Sequence, residues 1–138
     1  MNDFENTGAD DSNIHGNGER ILLVDDDPTI LEMLLDFFSS YGFTASLAVN
    51  AEIAFELFNK EKGNFDLLFT DIFLPGMSGL ELAGKLILKK PDLPILLGSC
   101  YVPEKSQQRE IKEKGYPFVK KPYSINALLN TVNRLTSA

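Results

Sequence analysis

The chain has 138 residues, 43% of them hydrophobic, with one cysteine and a formal net charge of −7. That is apolar material for one globular domain and too little length for two; the lone Cys100 excludes an internal disulfide or a cysteine-based zinc site, and no apolar stretch approaches the roughly 20 residues of a membrane span. Residues 1–19 hold Asp3, Glu5, Asp10, Asp11 and Glu19 with no Lys or Arg, which leaves −2 for the remainder: the folded part has no basic excess for a nucleic-acid backbone, and a cytoplasmic chain is expected.

In chain order, residues 1–19 are rich in Asn, Asp and Gly and read as a disordered acidic tail or linker, with the folded domain over 20–138. His15 stands there without partner ligands and reads as solvated. "RILLV" reads as a buried strand, and "TILEMLLDFFSSYG" puts Ile30, Leu31, Leu34, Leu35 and Phe38 on one helical face before Gly42 stops it. Between the two stand Asp25, Asp26 and Asp27, whose mutual repulsion needs something to offset it. Asp27, followed by Pro28, suits a helix N-cap with proline at the first helical position. "FTASLAV" with "AEIAFELFNK" makes a second strand–helix unit, and "FDLLFT" with "LELAGKLILKK", ending before Pro91, makes a third. "PILLGS" opens a fourth, whose helix around "PEKSQQREIKEKG" is polar and is expected to be the least securely packed. "PFVK" is a fifth strand, and "SINALLNTVNRL" follows with Ser124 as N-cap and Ile125, Leu128, Leu129 and Val132 on one stripe. Phe37, Phe38, Phe55, Phe58, Phe65 and Phe69 fall on these faces and read as core. Five strand–helix repeats predict an α/β three-layer, doubly wound sandwich, since parallel neighbours need crossover connections.

In such a sheet, chemistry collects beyond the carboxyl ends of the strands. Standing there are Asp25 and Asp26 after the first strand, Asp71 after the third, Ser99 after the fourth and Lys121 after the fifth. The pieces "ILLVDDDP", "DLLFTDIFLPGMSGLEL", "PILLGS" and "FVKKPYS", in that order and spacing, give the chain its resemblance over 20–136 to the receiver domain of two-component response regulators, the CheY-like superfamily. The resemblance implies a flavodoxin-like (βα)5 sandwich with strand order 2-1-3-4-5. It implies a signalling domain, not a conventional enzyme, that takes a phosphoryl group from the phosphohistidine of a histidine kinase or histidine phosphotransfer protein onto Asp71. Mg²⁺ would be held by Asp26, Asp71 and the backbone carbonyl of Phe73, with Asp25 acting through water, a hard-oxygen donor set suited to that ion. Lys121, in the family's Lys-Pro pattern with a cis bond to Pro122, would bring its ammonium to the phosphoryl oxygens, while Lys120 stays at the surface. Ser99 would hydrogen-bond the attached group, and Phe118 would change rotamer as the following loop moves. The surface altered would be the fourth helix, fifth strand and fifth helix, a face for a partner or a homodimer. Phe73 and Tyr101 stand two residues beyond Asp71 and Ser99, where the family tunes water access; two aromatics there imply slow self-dephosphorylation.

The chain departs from the family at Gly98 and Cys100, which flank Ser99. Gly98 is expected to loosen the strand end, and Cys100 to be a small buried hydrophobe. Two other functions fit parts of the sequence. Asp25, Asp27 and Thr29 match the D-x-D-x-T pattern of haloacid-dehalogenase-like phosphatases, with Asp25 as nucleophile, but "KKPYSINALL" lacks the later acidic pair that family needs. A pseudo-receiver that binds partners without taking phosphate is the third class, against which the complete set of acidic, hydroxyl and lysine groups argues. "KPYS" followed by "LLNTV" is similar to receivers attached to sensor kinases, so the receiver of a hybrid sensor histidine kinase is one expected setting and a stand-alone receiver the other.

Overall fold

A computed structural model describes residues 15–137. Five parallel strands, β1 (Arg20–Val24), β2 (Thr44–Ala48), β3 (Leu67–Asp71), β4 (Ile95–Ser99) and β5 (Phe118–Lys120), form one sheet in the order β2-β1-β3-β4-β5. They alternate with α1 (Pro28–Ser40), α2 (Ala51–Lys60), α3 (Gly79–Lys89), α4 (Lys105–Lys114) and α5 (Ile125–Thr136). The fold and strand order are those the sequence predicts, and element ends differ from the predicted ones by one or two residues, as helix and strand termini usually do.

The three central strands explain the architecture. β3 and β4 are buried along their whole length and β1 everywhere except Arg20, so their side chains must be covered on both faces, which is why these segments are apolar runs rather than alternating ones. On one face Leu31, Leu34 and Phe38 of α1 and Leu128, Leu129 and Val132 of α5 pack on Ile21, Leu23, Leu67, Phe69 and Leu96. On the other, Ala54 and Phe58 of α2 and Leu82, Ala83 and Leu86 of α3 pack on Leu22, Val24, Leu68 and Leu97. Each fully buried Leu or Phe contributes about 1.5–3 kcal/mol relative to exposure, so these two layers dominate the folded state. The edge strands carry less: β5 is partly buried and ends in the exposed Lys120.

Helix starts follow the capping chemistry. Asp27 caps α1 by accepting from the Thr29 amide at 2.9 Å, with Pro28 as the first helical residue; Asn50 and Ser124 cap α2 and α5, and Ser78 shares a reciprocal capping box with Glu81 at the start of α3. Three expectations need adjustment. Ile125 opens α5 at 59% exposure, so the apolar stripe of that helix begins at Leu128. Phe37 and Phe55 only flank the core, whereas Phe38, Phe58, Phe65 and Phe69 lie inside it. The tail expected over 1–19 lies outside the described residues as far as 14; beyond it, the Gly16 and Gly18 amides donate to the Tyr41 and Gly42 carbonyls at 2.6 and 2.8 Å, fastening this segment to the turn between α1 and β2. No helix among the described residues is long and apolar enough to cross a membrane.

Candidate functional site

The β1, β3 and β4 ends and the segment after β5 converge on one cleft of about 520 Å³. Asp25 follows β1 directly, its amide donating to the Ala48 carbonyl of β2 at 3.2 Å, and it is 2% exposed; Asp71 ends β3 at 8%. Asp26 is exposed at the cleft rim, yet it, Asp25 and Asp71 each offer a carboxylate oxygen within 4.8 Å of the others. Opposite them stands Lys121, whose amide donates to the Ser99 carbonyl at 3.0 Å and whose bond to Pro122 is cis. Its ammonium donates to Asp25 Oδ2 at 2.6 Å and to Asp71 Oδ2 at 3.0 Å. The other Asp25 oxygen accepts from the Asp27 amide at 2.9 Å, and Asp71 Oδ1 accepts from the Phe73 amide at 3.3 Å.

Electrostatics follow from this crowding. Burial holds the Asp71 carboxyl above its ordinary value, and the Asp25 charge adds to that, more than the Lys121 ammonium takes away. Burial pulls the Lys121 ammonium down, but hydrogen bonds and charge from Asp25 and Asp71 outweigh it and raise it, so the lysine stays protonated. Three carboxylates facing one ammonium is a site short of positive charge. Its donors are all hard oxygens clustered on one side, which is the chemistry that suits Mg²⁺ better than a soft or borderline metal.

The other predicted residues divide into near and far. Ser99 is buried at the end of β4, and its hydroxyl accepts from the Tyr101 amide at 3.0 Å. Phe73 and Tyr101 meet edge to face across the cleft mouth, ring centroids 5.8 Å apart, with Tyr101 69% exposed. Phe118 is partly buried and lines a shallow groove with Ile111 of α4, away from the carboxylates. Lys120 is exposed, as expected. Asp27 lines the cleft but spends its carboxylate on the α1 cap and stands outside the cluster of three.

Two expectations at the β4 end are corrected. Cys100 is exposed, because the chain leaves the sheet after Ser99 and the residue turns to the cleft mouth rather than the core. Gly98 does not simply loosen the strand: the space its missing side chain leaves is filled by the Tyr123 ring, whose Cζ lies 3.1 Å from where a Cβ would be. Sequence reasoning also passed over Gly79. A Cβ there would overlap the Asp71 carbonyl oxygen, so only glycine lets the start of α3 close against the end of β3, where its amide donates to the Ile72 carbonyl at 2.9 Å. The signal was a glycine at the first position of a helix, just after the Ser78 cap, where no conformational need for it is otherwise visible.

Comparison with known proteins agrees with this geometry. The family model described as "Response regulator receiver domain" matches residues 21–133. A two-component response regulator of Arabidopsis thaliana, ARR10, is 31% identical over 113 residues, 82% of this chain and 20% of that protein. The chain spans 20% of the length of ARR10, and 17% and 28% of two further curated relatives that it matches. Among solved structures, a CheY-like response regulator receiver domain protein from Methanospirillum hungatei JF-1 superposes with a TM-score of 0.75 at 26% identity, covering 85% of this chain and 92% of that one. A receiver domain protein from Clostridium thermocellum gives 0.78 at 18% identity, covering 86% and 94%, and at that identity speaks for the fold alone. With an acidic pair, a strand-end aspartate, a hydroxyl and a lysine gathered at one end of a β2-β1-β3-β4-β5 sheet, and a family match across nearly all of the described residues, the chain belongs to the response regulator receiver domain family of two-component systems.

Proposed function

We propose that this receiver accepts a phosphoryl group onto Asp71 from the phosphohistidine of a histidine kinase or histidine phosphotransfer protein, in a cytoplasmic phosphorelay. The observation that carries the reading is the pair of contacts from Lys121 to Asp25 and Asp71 across an open, negatively charged cleft. A carboxylate oxygen of Asp71 attacks phosphorus in line, the phosphorus–nitrogen bond breaks, and the electron pair returns to the partner's imidazole. Lys121 is raised and stays charged, so its ammonium can leave the carboxylates for the phosphoryl oxygens as their charge grows. Asp26, Asp71 and the Phe73 carbonyl would hold Mg²⁺, with Asp25 acting through water; when bound, the ion neutralises the phosphoryl charge that three carboxylates would otherwise repel.

After transfer, the Ser99 hydroxyl, whose oxygen accepts from the Tyr101 amide, donates its proton to a phosphoryl oxygen, drawing in the loop that leads to α4. Phe118, packed beside Ile111, is placed to pass that movement to the α4–β5–α5 surface, which is the proposed partner or homodimer face. The Phe73–Tyr101 pair stands where water must enter, which supports a long-lived acyl phosphate. Residues 20–138 act as the receiver and 1–19 as its tail or linker. Asp25 as a phosphatase nucleophile is disfavoured because the late segment "KKPYSINALL" lacks the acidic pair that chemistry needs. Intact mass after incubation with a small acyl phosphate and Mg²⁺ tests the reading: one phosphoryl group is gained, and Asp71→Asn gains none. Phosphorylation persisting in Asp71→Asn, or absent from the native chain, refutes it.

A further inference from the structure

The segment after β5 touches β4 at two points. The first is the Lys121 amide on the Ser99 carbonyl, at 3.0 Å. The second is one residue back along β4, at Gly98. In register Gly98 is the partner of Asp71 on β3 and of Val119 on β5, so it lies at the level of the phosphoacceptor. Two residues beyond Leu96, it faces the α1–α5 side of the sheet, where Leu96 and Phe69 are buried. A Cβ at 98 would overlap the Tyr123 hydroxyl oxygen and would lie 3.1 Å from its Cζ and 3.2 Å from Phe69. Tyr123 packs its ring on Phe69 at a centroid distance of 5.3 Å and lines an outer groove with Met33, Phe37 and Ile125.

We propose that Tyr123 is a positioning residue for phosphoryl transfer: its hydroxyl end docks in the space Gly98 leaves open, clamping the 121–123 segment to β4 and so setting the Lys121 ammonium between Asp25 and Asp71. This rests on the phosphoacceptor reading above. Between the two docking points lies only Pro122, whose ring fixes φ, so a displacement of Tyr123 passes directly to Lys121. The ammonium has little tolerance, since it meets two carboxylates at once, at 2.6 and 3.0 Å. Burial, with the charges of Asp25 and Asp71, holds the phenol well above its ordinary value, so Tyr123 brings a neutral group beneath the carboxylates rather than another anion. Gly98 and Tyr123 are therefore complementary: the absent side chain of one is the seat of the other.

The test is a double-mutant cycle on the full chain with a small acyl phosphate at saturating Mg²⁺. Gly98→Ala is expected to slow phosphorylation by about tenfold or more, because the new methyl group displaces the ring and with it the lysine. Tyr123→Phe, which keeps the ring and removes the overlapping oxygen, slows it less, and Gly98→Ala combined with Tyr123→Phe recovers most of what Gly98→Ala loses. Gly84→Ala, whose added methyl meets open space, leaves the rate unchanged. A second readout needs no phosphodonor: the Lys121 side-chain ¹⁵N resonance moves in Gly98→Ala and returns in the double variant. A double variant as slow as Gly98→Ala, or a Lys121 resonance that ignores a folded Gly98→Ala, overturns the proposal. If the native chain takes no phosphate while the resonance follows the cycle, the positioning stands and the phosphoacceptor reading falls.

Discussion

The third and fourth strand–helix units differ in how firmly they are held. β3 is buried from Leu67 to Asp71, and α3 beside it buries Gly79, Leu80, Leu82, Ala83 and Leu86 behind a complete capping box. α4 buries none of its residues, β5 is only partly buried, and the Tyr116 hydroxyl between them is enclosed without a hydrogen-bond partner. Asp71, the proposed phosphoacceptor, thus ends a strand buried along its whole length, and the proposed output surface lies beside a helix that buries none of its residues. The difference teaches that one fold can seat a carboxylate on a buried strand and still hold the next helix by few buried side chains, because the two fall on different units.

The largest test of that contrast is a pair of truncations. Leu82→Ala in α3 should cost about 3 kcal/mol of unfolding free energy in urea, and Ile111→Ala in α4 about 1 kcal/mol or less, because only the first leaves a cavity in a closed layer. Equal losses would remove the contrast, and native-state hydrogen exchange should show α4 amides opening well before those of α3.

Next comes the charge balance on the rigid side. Lys121→Met in metal-free protein leaves Asp25 and Asp71 facing each other and should cost about 2 kcal/mol at neutral pH, less than for a fully enclosed pair since the cleft is open. The deficit shrinks as pH falls and Asp71, held above its ordinary value, takes up its proton. Asp71→Asn has the opposite sign and a smaller size. The native-state carboxyl lies above its ordinary 3.8, so the folded chain holds that proton longer than the unfolded one, and metal-free stability falls as pH rises through this interval. The Asn variant escapes that loss: it should melt a few degrees higher at pH 7 and at the same temperature as the native chain below the ordinary value. A destabilised Asn variant at pH 7 would mean that Lys121 already compensates the site fully.

The smallest effect sharpens the mobile side. Tyr116→Phe removes the enclosed hydroxyl without changing the ring, and is expected to stabilise by up to about 1 kcal/mol while slowing exchange in α4. Faster exchange would show that the hydroxyl supports the helix it lies under.

Much of the rigid side was legible in the sequence. "RILLV", "LLFTD" and "ILLGS" are short runs that can only be buried on both faces, and the polar residues at their ends can only meet beyond the strand tips, so Asp25, Asp71, Ser99 and Lys121 follow from order and spacing. What stayed hidden depends on contacts between residues distant in the chain. Cys100 reads as apolar by type, yet the chain has already left the sheet. Gly98 reads as a weak point until Tyr123, 25 positions later, is placed over it, and a small residue beside the strand-end serine with a large aromatic just past Lys-Pro was the available signal. Gly79 is legible as a requirement only once the Asp71 carbonyl is seen where its Cβ would be.

The most direct measurement locates the phosphoryl group. After incubation with a small acyl phosphate and Mg²⁺, hydride reduction of the acyl phosphate followed by peptide mapping should convert Asp71 and no other carboxylate. Conversion at Asp25 instead, or a phosphorylated chain in which Asp71 is untouched, would contradict the assignment of the β3 carboxylate as the acceptor.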